Sequence, residues 1–218
     1  MMKKTYDFCM VLALILTAFL LAMNGIRRND EALASRIAPE ILRFHVLANS
    51  NSAEDQALKL AVKDLLLEEI RAGVDSRSDK DMVEQYVLDN KSTLERIAEE
   101  FIAECGFDYP AKIALETCEF PQKTYGDMTF PAGTYEAVRV IIGDGGGENF
   151  WCVLYPSLCY LDSTYAIVPD DSRETLKALL PEDDFHALLT SNKYKTEQDS
   201  LLPRITIRFK LADLFSSL

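Results

Sequence analysis

The sequence predicts an α+β protein, with a mainly antiparallel sheet of about four to five strands covered by helices and an N-terminal signal or anchor helix ahead of it. Three observations carry this reading. Period-two apolar runs begin near positions 41, 111, 134, 152 and 204. Runs with helical spacing gather between the first two of them. A doubly wound parallel sheet needs a helix after almost every strand, and the later strands lack one.

The chain opens with Lys3 and Lys4 ahead of an uncharged apolar run from Phe8 to Met23. Crossing about 30 Å of hydrocarbon takes roughly 20 residues, so this run is short for a spanning helix. A short basic region before a short apolar core fits a secretory signal peptide. Ala32-Leu33-Ala34 has the small-x-small form of a cleavage site but lies about nine residues beyond the run, so an uncleaved N-terminal anchor is the alternative. On either reading, residues 1–34 are a targeting segment with its linker, and 35–218 form a single extracytoplasmic domain. Only the N-terminal segment is expected to touch the membrane.

A polar linker from Asn24 to about Pro39 leads to a strand, Glu40 to Ala48, with Leu42, Phe44 and Val46 on one face and Arg43, His45 and Leu47 on the other. Ser52 with Asp55 reads as a capping box opening a helix to about Ala72, with Leu60 and Leu67 opposite its main apolar face. Ser78 with Asp81 predicts a second helix, with Met82, Val83, Tyr86 and Val87 inward. Ser92 with Glu95 predicts a third, up to the stop at Gly106; the apolar phase carries across Asn90-Lys91 and leaves the break between the two open. A strand follows from Ala111 to Cys118, then a loop bracketed by Pro121 and Pro131.

The centre of the chain is Gly133 to Cys159. A strand from Tyr135 to Ile142 meets four glycines among positions 143 to 147, predicting a hairpin-like reversal into a segment with the only tryptophan, two cysteines and Pro156. Beyond it come an irregular stretch from Asp162 to Asp171, short helices from Arg173 to Leu180 and after Pro181, a loop from Thr190 to Ser200, and a last strand, Arg204 to Leu211.

Outside the cytoplasm, the even set Cys105, Cys118, Cys152 and Cys159 is compatible with two disulfides. The local pairings, 105 with 118 and 152 with 159, are the simplest of the three possible; free buried thiols are the alternative. No Cys-x-x-Cys occurs and the two histidines, His45 and His186, stand alone, so no metal site is expected. The formal net charge of −12 excludes nucleic acid as a partner and argues against anionic lipid or polyanions. The glycine-rich turn lacks Gly-Lys-Ser/Thr and has Glu148 where a dinucleotide fingerprint needs its third glycine, so no nucleotide or other cofactor is expected. A dyad of Cys152 with His45 or His186 would make a secreted thiol hydrolase acting on a wall or receptor peptide, the rival to a non-enzymatic reading.

Two polar clusters exceed what local structure needs. His45, Asn49, Ser50, Asn51, Asp55, Gln56 and Lys59 crowd a strand end and a helix start, where capping accounts for only part of them. Glu136 and Arg139 sit three apart in an apolar strand, on opposite faces, with Asn149 and Trp151 past the turn. Both clusters are candidate partner-binding surface, with no catalytic residue among them.

These stretches also carry a family resemblance. Phe44-His-Val-Leu-Ala-Asn-Ser-Asn-Ser-x-x-Asp-Gln-Ala-Leu-Lys59, followed by Gly133-x-Tyr-Glu-Ala-x-Arg-Val-x-Ile-Gly-x-Gly-x-Gly-x-Asn-x-Trp-Cys-Val-Leu-x-Pro-x-Leu-Cys159, resembles the stage II sporulation protein R family of endospore-forming Firmicutes. The resemblance implies an exported signalling protein, acting between the forespore and mother-cell membranes. There it would trigger a membrane-embedded aspartyl protease that processes pro-sigma-E. It implies no catalytic residues.

Overall fold

The computed structural model describes residues 2–75, 78–159 and 168–189. In chain order these form helix α1 (Met2–Ile37), a 3-10 turn (Ala38–Glu40), strand β1 (Leu42–Leu47) and helices α2 (Ala53–Gly73), α3 (Lys80–Asp89) and α4 (Lys91–Glu104). Strands β2 (Ala111–Phe120), β3 (Lys123–Tyr125), β4 (Met128–Phe130), β5 (Gly133–Ile142) and β6 (Asn149–Tyr155) follow, then helices α5 (Asp170–Leu179) and α6 (Glu182–Leu188). The expected irregular stretch lies largely, and the 190–200 loop and 204–211 strand wholly, outside the described residues.

The main sheet has four strands in the order β2-β5-β1-β6. β1 runs parallel to β5 and antiparallel to β6, while β2 and β5 pair antiparallel over their whole length. All six β1 residues are buried, because β1 is flanked on both sides and covered on both faces. Its expected mixed face is therefore a second core.

Side-chain alternation sorts the two faces. Leu42, Phe44, Val46, Val138, Val140 and Ile113 meet α2, α3 and α4, burying Leu58, Val62, Leu66, Val83, Leu94, Ala98 and Ile102. On the other face Phe120, Tyr135, Ala137 and Val153 meet Ile37 of α1, Phe130 of β4, Leu176 of α5 and Phe185 of α6. Two ion pairs pin this second layer: Arg36 to Asp184, at 2.7 Å, and Arg173 to Asp127, at 2.6 Å.

Several expectations are corrected. The glycine-rich segment makes no hairpin, because β1 inserts between β5 and β6. The hairpin forms instead inside the Pro121–Pro131 loop, where Gly126 at φ +54° turns β3 back on β4. The Asn24–Pro39 linker is helical through Ile37. Asp79, not Ser78, caps α3, accepting from the Met82 amide at 2.9 Å; α4 opens at Lys91 behind Asn90, so the two helices are separate. Ser52 caps α2 as expected, with Oγ accepting from the Asp55 amide at 3.1 Å. Leu67 reaches the core, but Leu60 and Met82 stand in solvent.

Cys152 and Cys159 form a disulfide. Cys105 and Cys118 do not; both are free thiols. Cys118 packs toward the second core, whereas α4, which Cys105 terminates, lies on the opposite face of the sheet.

Candidate functional site

The first polar cluster closes into a clasp between the β1–α2 loop and the glycine-rich segment. Gly147 and Gly146 donate their amides to the carbonyls of Ala48, at 2.9 Å, and Asn49, at 3.1 Å. The Asn49 side-chain oxygen accepts from the Asp144 amide at 3.0 Å, and that of Asn51 from the Glu148 amide at 2.6 Å. Lys59 donates from Nζ to the Glu148 carbonyl at 2.9 Å and to Gln56 Oε1 at 2.6 Å. Gln56 in turn donates to the Ser50 carbonyl at 2.9 Å.

Asp55 organises the near side of this clasp. It is buried, and its carboxylate accepts from Ser50 Oγ at 2.6 Å and Asn49 Nδ2 at 3.0 Å. Those bonds, Ser50 foremost, hold it below the usual carboxylate range. Burial pushes the Lys59 ammonium down, against a smaller upward pull from Glu148.

The composition of the turn follows from this geometry. Gly143 and Gly145 take φ of +59° and +64°, and a Cβ on Gly147 would collide with the Ser50 carbonyl. The segment is an arch over the end of β1, held by side chains about 90 residues upstream. Asp144 and Glu148 are exposed on it, and Asn149, which opens β6 where the segment ends, is exposed as well.

His45 does not join the clasp. It lies under the second layer, 5% exposed, with Trp151 stacked on it at 3.6 Å between ring centroids and Phe120 edge-on to the indole at 4.7 Å. Burial lowers its pKa to about 4 against an upward pull from the Asn149 side chain, with Arg139 lowering it and Glu116 raising it by less, so the ring is neutral at pH 7. Trp151 is half-buried, and its carbonyl accepts from the Tyr125 hydroxyl at 3.1 Å.

The second cluster separates as its spacing requires. Glu136 pairs with Lys80 of α3 on one face, and Arg139 with Glu116 of β2, at 2.7 Å, on the other. A Cys152 dyad is excluded twice over: the sulfur is in the disulfide, and β1 register sets Cys152 opposite Phe44 and Trp151 opposite His45, on opposite sheet faces. His186 pairs with Glu182 at 3.7 Å on α6.

Arg43, two residues before His45 on the same face, was not singled out by sequence reasoning. Its guanidinium is fully buried, 4.5 Å from the Phe120 ring centroid, 5.0 Å from Tyr135 and 5.7 Å from Phe130. None of its nitrogens has a hydrogen-bond partner among the described residues. Burial pushes the guanidinium pKa down, and the same setting, burial first, pushes the Tyr135 phenol up to about 12. The available signal was a cation inside an otherwise apolar strand.

Fold and site together define a disulfide-bearing α+β domain with an apolar N-terminal helix, whose distant polar motifs meet in one clasp. A family model, Stage II sporulation protein R, matches residues 38–165. The chain is 33% identical over 166 residues to the Stage II sporulation protein R of Bacillus subtilis (strain 168), covering 74% of this chain and 73% of that relative. The chain belongs to the stage II sporulation protein R family. No solved structure matches it.

Proposed function

We propose that this chain is an exported sporulation signal that activates a membrane-embedded aspartyl protease, leading to processing of pro-sigma-E, and that it does so by binding. Family membership is the observation that carries this reading, since both motifs behind it fall within the matched region. The apolar N-terminal helix and the Cys152–Cys159 disulfide support a place outside the cytoplasm, between the forespore and mother-cell membranes.

The clasp supports recognition by contact. Its interior bonds leave Asp144 and Glu148 displayed on a shaped arch, and a preformed surface loses little entropy on binding. Asn49, Ser50, Asp55, Gln56 and Lys59 act there as the frame that sets the surface. The receptor responds because it binds this surface better in its active state.

Co-expression of the chain, the protease and pro-sigma-E in a host without sporulation genes tests the proposal. Immunoblots should show processing only when all three are present. Asp144→Lys with Glu148→Lys should abolish processing while the protein keeps its unfolding transition. Processing that proceeds without the protease would sink the reading.

A further inference from the structure

We infer that α1 is retained as a membrane anchor, because its C-terminal end belongs to the domain's core, and that it holds the domain at the lipid surface. Leu33, Ala34 and Ile37 are buried in the second core. The bond that Ala32-Leu33-Ala34 would offer a signal peptidase therefore lies within α1, and cutting it removes two core side chains.

The fit around that bond is close. A Cβ on Gly133 would stand 2.5 Å from the Cβ of Ala34, so the glycine that opens β5 is matched to the helix crossing it. Just beyond, Arg36 grips the buried carboxylate of Asp184 with Nε at 2.9 Å and a terminal nitrogen at 2.7 Å, tying α1 to α6.

Upstream, the occupant is set by length and composition. The chain carries no charge from Phe8 to Ile26, 19 residues. As helix that is about 28 Å, against about 30 Å of hydrocarbon. Mean hydropathy in this part reaches 2.0, and the large apolar side chains from Met10 to Met23 stand exposed rather than against the domain. A lipid bilayer is the environment that satisfies such a surface. In sequence the run is bounded by cations, Lys3 and Lys4 before it and Arg27 and Arg28 after it, the residue types that favour a headgroup region. From Arg27 to Leu33 the helix rises about 9 Å, so the folded domain begins at headgroup height.

The test uses the full chain with a C-terminal tag, made in a sporulating host and recovered from membranes washed in alkaline carbonate. The expected result is a carbonate-resistant species whose intact mass includes the first 34 residues, apart from the initiator methionine. Ala32→Lys, at an exposed position, should change that mass by the substitution alone and leave the fractionation as it was. A species lacking residues 1–34 that Ala32→Lys abolishes overturns the inference. So does a cut at any upstream bond that frees the domain, or release of the intact chain by carbonate. Fractionation and intact mass read the anchor without reference to pro-sigma-E processing, so a failure here is separable from a failure of receptor activation.

Discussion

Replacing Arg43 by Met should make the protein more stable. The guanidinium sits among three aromatic rings at 4.5, 5.0 and 5.7 Å, and cation–π contacts at such distances contribute about 0.5–2 kcal/mol each. Three of them together offset about 1.5–6 kcal/mol, and the longer Phe130 contact keeps the sum below the upper end of that range. Against that stand the effective cost of burying an ion, several kcal/mol, and N–H groups with no acceptor among the described residues. Met keeps most of the stem's length and its contacts with the rings while removing the charge. Buried ions replaced by apolar side chains of similar volume have gained roughly 1–4 kcal/mol, and about 1–3 is expected here. Arg43→Ala should fall below Arg43→Met by about 2–4 kcal/mol, because it leaves a void between Phe120, Phe130 and Tyr135.

Urea unfolding of the purified full chain in mild detergent measures this through Trp151, the only tryptophan, which lies over the same core. With m of about 2 kcal/mol/M, Arg43→Met should raise the midpoint by about 0.5–1.5 M at unchanged m. A midpoint lowered by that amount would refute the reasoning, since it would mean the guanidinium is hydrogen-bonded in the folded protein.

His45, with its pKa lowered to about 4, gives a pH dependence of defined sign. The unfolded chain takes up the proton near pH 6.5 and the folded one only near 4, so stability falls with pH across that window, by on the order of 2–3 kcal/mol. His45→Phe keeps the stack on Trp151 and should flatten the midpoint between pH 4 and 6.5; an unchanged slope would show that other groups set it. Two neighbouring glycines test the arch: Gly147→Ala should cost about 2–3 kcal/mol, because its Cβ meets the Ser50 carbonyl, while Gly146→Ala, whose Cβ would lie 3.4 Å from the Asn49 carbonyl, should cost under about 1. Equal losses would mean the arch does not rest on β1. Serine at both Cys152 and Cys159 should cost about 2 kcal/mol in unfolding free energy, as expected for so short a loop. In mass-mapped alkylation of the native protein, Cys105 should react at once, and Cys118, half-buried with its thiol pKa raised chiefly by burial, only on unfolding. Equal rates would place Cys118 at the surface.

The fold was legible wherever one face of an element settles its place. α2, with Ser52 at its cap and Leu58, Val62 and Leu66 inward, follows from local chemistry and period alone. Strand existence was legible in the same way. Strand order was not, because nothing local says that β1 inserts between β5 and β6, and a glycine-rich turn between two apolar runs reads as a hairpin by default. The disulfides divide on the same ground. Cys152 and Cys159 are brought together by a local turn, whereas Cys105 and Cys118 are separated by the sheet, and sequence distance cannot tell the two cases apart.

The candidate site was legible as composition and opaque as geometry. Asn49, Ser50, Asp55, Gln56 and Lys59 stood out because capping uses only Ser52 and the Asp55 amide, leaving polar groups that need partners. What they bond lies about 90 residues away, and most of it is main chain: the amides of Asp144 and Glu148 and the Glu148 carbonyl. Main-chain groups are the same at every position and so leave no mark in the sequence except the glycines that let them approach. That is why two motifs far apart in the chain are one physical object. The side chains of the first are shaped to a backbone path that the glycines of the second make possible, and a change on either side must be answered on the other. His45 was grouped with them by proximity in sequence, yet period two sends it through the sheet to Trp151, where its environment is the second core rather than the clasp.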